Sequence, residues 1–153
     1  MGKKLKKVGK TVKPNLGYYV QTINNIVKDT EAIGETLHPY YEEIRTAIDN
    51  DKVADLSTEH LAEIQEKFES GTKAYHAMLE KVSGLRPPAR VMGIHKKFER
   101  SYMSYVAGCD EMVLAVTDGV DVTGFNAAEE KQDKATDEIS FAISRMTNML
   151  LKK

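Results

Sequence analysis

Residues 58–117 read TEHLAEIQEKFESGTKAYHAMLEKVSGLRPPARVMGIHKKFERSYMSYVAGCDEMVLAVT. Leu61, Ile64, Phe68, Gly71, Tyr75, Met78 and Val82 recur at steps of three and four, the spacing of one helical face. Ser57 or Thr58 suits the start of that helix, and Gly84 its end. Leu85-Arg86-Pro87-Pro88 then breaks the pattern. Proline belongs in a first helical turn, so a second helix is expected from about Pro88 to Thr117. Its stripe is Met92, His95, Glu99, Tyr102, Val106, Cys109, Val113 and Val116, flanked by Val91, Ile94, Phe98, Tyr105 and Met112. So wide an apolar face asks for more than one neighbour.

Upstream, Tyr19, Ile23, Ile26, Thr30, Ile33, Leu37, Tyr40, Ile44 and Ala47 alternate steps of four and three, a heptad seam of the coiled-coil kind. Pro39 lies within it and lacks the N–H that position 35 would receive. The seam keeps phase across Pro39, so one kinked helix over about Asn15 to Ile48 is expected; two helices broken at His38–Pro39 is the rival reading. Downstream, Asp118 to Gly124 reads as a loop. A last helix is expected from an Asn126 cap to about Leu151, with Ala128, Ala135, Ile139, Ala142, Met146 and Met149 on its face. Four helices with short connections imply an all-α, antiparallel up-down four-helix bundle over residues 15–153.

Residues 1–14 form a separate basic arm. They hold Lys3, Lys4, Lys6, Lys7, Lys10 and Lys13 and no acid, whereas the rest of the chain holds 16 basic and 23 acidic side chains. Leu5, Val8 and Val12 recur among the lysines as in a basic amphipathic helix, which suits an anionic membrane surface. The lysines equally suit nucleic-acid phosphates, although the arm has no arginine or aromatic residue for reading bases. A solvated tail is the third reading. Lys6 stands where a myristoylation signal needs Ser or Thr. The basic start is followed by no apolar stretch of signal-peptide length, and no apolar run suits a membrane span, so a cytoplasmic protein with optional peripheral membrane association is expected.

The residues offer little chemistry. A dinuclear carboxylate centre in a bundle needs Glu-x-x-His on two helices and a glutamate on each of the others. Of His38, His60, His76 and His95, only His38 has a glutamate three residues before it, Glu35. His95 and Glu99 share a face and suggest either a ligand- or metal-binding site or a packed, hydrogen-bonded histidine. His60 and Glu63 read as a solvated pair. Cys109 is the only cysteine, which excludes an intramolecular disulfide, and its helical neighbours supply no activating base. The seven tyrosines and seven methionines read as core filler or as the lining of a ligand groove. Gly34, Gly71, Gly93 and Gly108 sit inside helices, where close helix approach or a ligand-sized gap justifies them.

Leu85-Arg86-Pro87-Pro88 with His95, Tyr102 and Gly108 resembles a pattern in small helical-bundle proteins of uncharacterised function from Gram-positive bacteria, over about Tyr75 to Phe125. That resemblance implies a bundle and no activity. Small helical proteins of type VII secretion are a second comparison, but they carry a Trp-x-Gly turn and this chain has no tryptophan. The expectation is a non-enzymatic interaction module without a cofactor or small-molecule substrate. Its partner is another protein or a second copy; the alternatives are an arm-dependent binder of membrane or nucleic acid, and a ligand site near His95 and Glu99.

Overall fold

A computed structural model of the chain describes residues 16–151. Among these residues it is all helical, with four helices packed on one another: α1 (Leu16–Asp49), α2 (Thr58–Gly84), α3 (Met92–Ala115) and α4 (Val122–Leu151). None of them is long and apolar enough to cross a membrane.

Helix α1 continues through Pro39, so the rival reading of two helices is set aside. It ends in a reversed turn: Lys52 N–H donates to the Ala47 carbonyl at 2.7 Å and Asp51 N–H to that of Ile48 at 3.2 Å. Asp51 takes a left-handed φ of 56° there, a role more often given to glycine. The Ser57 side chain caps α2 by accepting from His60 N–H at 3.0 Å.

Two expected boundaries move. Pro88 starts a short 3-10 turn, Ala89–Val91, and α3 proper begins at Met92. Helix α4 begins at Val122, four residues before Asn126. The cap is Asp121, whose Oδ1 accepts from Gly124 N–H at 3.1 Å. A Cβ on Gly124 would lie 2.6 Å from the Asp121 carboxylate, so the glycine admits the cap rather than breaking the helix. Asn126 instead accepts from Arg45.

The core has two halves. One gathers Tyr19, Ile26, Tyr75, Val82, Phe98, Tyr102 and Met146; the other gathers Ile44, Ile64, Phe68, Met112, Val116 and Phe125. Of the α3 stripe, His95 (3% exposed), Tyr102, Val106, Cys109 and Val116 are buried as expected, whereas Glu99 and Val113 are half-buried and Met92, in the first turn, is exposed. The seam of α1 behaves differently along its length. Tyr19, Ile23, Ile26, Ile44 and Ala47 are buried, but Thr30, Ile33, Leu37 and Tyr40 between them are only half-buried.

The reason lies in α4. Its buried stripe is Ala128, Ala135 and Ala142, seven residues apart, and small side chains let helices approach closely. Opposite them on α3 is Gly108, where a Cβ would lie 2.9 Å from Gln132 Cγ and 3.3 Å from the Ala128 carbonyl oxygen. Helices α3 and α4 therefore make the closest pairing in the bundle. Drawn onto α3, α4 stands away from the middle of α1.

Candidate functional site

The seam between α1 and α4 is pinned at both ends. At one end the Tyr19 hydroxyl lies 2.7 Å from His95 Nδ1 and 3.3 Å from Met146 Sδ. At the other, Arg45 Nη1 donates to Glu129 Oε1 at 2.7 Å and to Asn126 Oδ1 at 2.9 Å. Its Nη2 donates to Asp49 at 2.9 Å, and the guanidinium lies 5.6 Å from the Phe125 ring centroid. Tyr41 stacks on Phe125 with centroids 5.9 Å apart.

Between these pins runs a cleft with two chambers, of about 240 and about 270 Å³. Gly34, Tyr75 and Tyr105 line both and form the sill between them. Tyr105 donates its hydroxyl proton to the Tyr75 oxygen at 3.2 Å, with the rings edge to face. A Cβ on Gly34 would stand 3.5 Å from that oxygen. Phe68, Met112 and Cys109 extend the floor of the first chamber, Phe98 and Tyr102 that of the second. Carboxylates stand along the walls: Glu129 and Asp133 in the first chamber, Glu31 in the second. Desolvation and then the negative charges of Glu129 and Asp137 hold the Asp133 carboxyl above its ordinary range. Burial, followed by the hydrogen bond to Glu129, likewise keeps the Tyr41 phenol protonated.

His95 and Glu99 do not come together as one polar site. His95 Nε2 lies 3.2 Å from the Val82 carbonyl and must carry the hydrogen, which leaves Nδ1 to accept from Tyr19. Burial lowers the His95 pKa, so the ring is neutral, a hydrogen-bonded packing element. Glu99 instead accepts from the Ser83 hydroxyl at 2.7 Å. His60 bonds both Glu63 and Glu43, and Glu43 is the main cause of its raised pKa. His76 joins α2 to α3 through Asp110 at 3.0 Å. His38 pairs with Glu42 at 4.0 Å rather than Glu35. Among the described residues no group of three or more His, Cys, Asp or Glu is placed to hold a metal ion. Burial pushes the Cys109 thiol up to about 12, which keeps it from acting as a nucleophile.

The second feature is charge. Divide each helix at its midpoint. The first halves of α1 and α3, the second halves of α2 and α4 and the α2–α3 connection (residues 16–32, 72–103 and 137–151) together carry nine basic and six acidic side chains. The remaining halves, with the other two connections (residues 33–71 and 104–136), carry five basic and seventeen acidic. Arg86 and Arg90 lie in the connection between α2 and α3, and Arg90 donates to the Leu150 carbonyl at 3.0 Å, tying that connection to the end of α4. Leu16 at the start of α1, Met92 at the start of α3 and Leu151 at the end of α4 are exposed. Lys3, Lys4, Lys6, Lys7, Lys10 and Lys13 lie outside the described residues, as do Lys152 and Lys153; in sequence the first group precedes α1 and the second follows α4.

The sequence marks Tyr75 and Tyr105 as core filler or groove lining and Gly34 as a point of close helix approach or a ligand-sized gap; it does not single out Glu129 and Asp133. Their signal is the four-residue spacing of Glu129, Asp133 and Asp137, which places three acids on one helical face. No family model matches the chain, and neither a curated protein nor a solved structure matches it.

Proposed function

We propose that this chain is a non-enzymatic binding module that docks on an anionic membrane surface through its basic pole. On this reading the four helices alternate in direction. That order brings the start of α1, the α2–α3 connection and the end of α4 to one pole. The observation that carries the reading is the separation of charge along the bundle, with the basic half next to a lysine-rich N-terminal segment.

Each Lys or Arg near an anionic bilayer contributes about 1 kcal/mol. The exposed Leu16, Met92 and Leu151 favour lipid over nucleic acid, because apolar side chains gain by entering the interfacial region and gain nothing from phosphates alone. Leu5, Val8 and Val12 among the lysines add to the same preference.

The test uses the full chain, a version starting at Asn15, and an Arg86→Glu/Arg90→Glu variant. Each is sedimented with phosphatidylserine–phosphatidylcholine vesicles, with pure phosphatidylcholine vesicles, and titrated with duplex DNA. The expected result is salt-sensitive binding to the anionic vesicles, weakened by either change. Equal binding by all three chains, or a preference for DNA, overturns the reading.

The acidic pole favours a second reading, in which the partner is a basic protein or the basic pole of a second copy. Concentration-dependent assembly in sedimentation velocity that salt abolishes supports it; a monomer at low salt removes the second copy.

A further inference from the structure

The cleft between α1 and α4 is separate from the basic pole and carries an inference of its own. We propose that it is a binding site for a small organic ammonium ion with an aromatic or aliphatic body. The ammonium group sits at the Asp133 wall and the body lies on Tyr75, Tyr105 and Phe68.

Three observations support this assignment. The first is shape. The seam is held at one end by the Tyr19 hydroxyl, which gives its proton to His95 and lies against Met146 Sδ, and at the other by the Arg45–Glu129 pair, so the cleft exists without a ligand to part the helices. Gly34 leaves the sill clear, whereas any side chain there would extend toward the Tyr75 hydroxyl. Chambers of about 240 and 270 Å³ suit a single ring or a short chain.

The second is chemistry. The floor is aromatic, and a ring face attracts a cation. Tyr75 accepts from Tyr105 and keeps a hydrogen to give, for which the described residues offer no acceptor. Bare metal ions fit poorly, because a hard cation asks for several converging oxygens and the floor offers rings instead.

The third is charge. Glu129 is already engaged by Arg45. Asp133, one turn along, makes no ion pair among the described residues and is crowded by Glu129 and Asp137. A cation beside it relieves that crowding; an anion there is repelled.

The experiment titrates phenethylammonium chloride into the full chain and follows backbone amide shifts. The uncharged 2-phenylethanol and the anionic phenylacetate serve as charge controls. The expected result is shifts clustered at Gly34, Tyr75, Tyr105 and Asp133, with the ammonium bound about tenfold tighter than the alcohol. Asp133→Asn brings the two to equal affinity while the melting curve stays cooperative. Gly34→Leu fills the sill and removes binding. Should that variant fail to fold, Asp133→Asn still decides. Equal binding of ammonium and alcohol by the parent chain, shifts that map elsewhere, no binding, or an Asp133→Asn variant identical to the parent each overturn the proposal.

Discussion

Tyr19 gives its hydroxyl proton to Nδ1 of His95 across 2.7 Å, and the ring passes the polarity on by donating from Nε2 to the Val82 carbonyl. One neutral histidine thus ties α1, α2 and α3 together inside the core. Replacing His95 with Ala opens a cavity in the core, takes one of two donors from the Val82 carbonyl, which keeps the Leu85 N–H, and leaves the Tyr19 hydroxyl only the weak acceptor Met146 Sδ. The expected loss is about 2–4 kcal/mol, read from urea denaturation. Tyr19→Phe removes only the first bond and costs about 1 kcal/mol.

The same histidine sets a pH dependence. Burial lowers its folded pKa, so the unfolded chain takes up the proton first. Its stabilising effect is therefore complete above the ordinary histidine value, about 6.5, and declines as the pH falls below it. His60 acts in the opposite sense. Glu43 raises its pKa, so its contribution is complete below that value and declines as the pH rises through the folded value. In a His60→Gln background, denaturation midpoints measured from pH 8 to pH 5 should fall more clearly than in the parent chain.

Cys109 offers a chemical readout of the core. With its thiol pushed up to about 12, little thiolate exists at pH 8, and the side chain is 7% exposed. Labelling by a disulfide reagent at pH 8 should be slower in the native chain than in urea by about a thousandfold. A native rate within tenfold of the unfolded one would contradict the packing around Tyr105 and Met112.

The helical glycines should respond differently to alanine. Gly108→Ala pushes α3 from the α4 backbone and should cost about 1–3 kcal/mol. Gly71→Ala meets Cγ and both Cδ atoms of Leu37 at 2.5–2.9 Å, but Leu37 is a half-buried side chain that can change rotamer where the α4 backbone cannot, so it should cost less. Gly34→Ala finds ordinary contact and Gly93→Ala open space, so each should gain up to about 1 kcal/mol from helix propensity. Thermal melts of the four variants check the order.

The Arg45 pin is testable by a double-mutant cycle. Arg45→Gln and Glu129→Gln, singly and together, should show a coupling of about 1 kcal/mol that weakens with salt.

The helices were legible because their seams are long and regular, and Leu85 to Pro88 separates two of them without ambiguity. The start of α4 was not. Gly124 reads as a helix breaker, but its missing Cβ makes room for the Asp121 carboxylate. The cleft was half legible. The seam of α1 predicts a buried stripe along its whole length, and nothing local marks Thr30 to Tyr40 as uncovered. That depends on how far α4 retreats, which is set by alanines and a glycine on the opposite side of the bundle. The poles were less legible still. Spacing shows a basic arm on an acidic body, but which charges gather at which end depends on how the helices stack.

On the proposed reading, with the helices alternating in direction, the separation of charge also governs how the molecule arrives at a membrane. Helix α4 alone, at 30 residues, is about 45 Å long, several times the distance over which physiological salt screens a charge. The acidic half and the basic half therefore experience a charged surface at different strengths, and the difference is a torque. On the proposed membrane-docking reading, a molecule that comes within about a screening length of a negative surface is turned toward its basic end before contact. Affinity changes made at the poles should then appear first in the association rate, while changes in the apolar contacts should appear in how long the molecule stays.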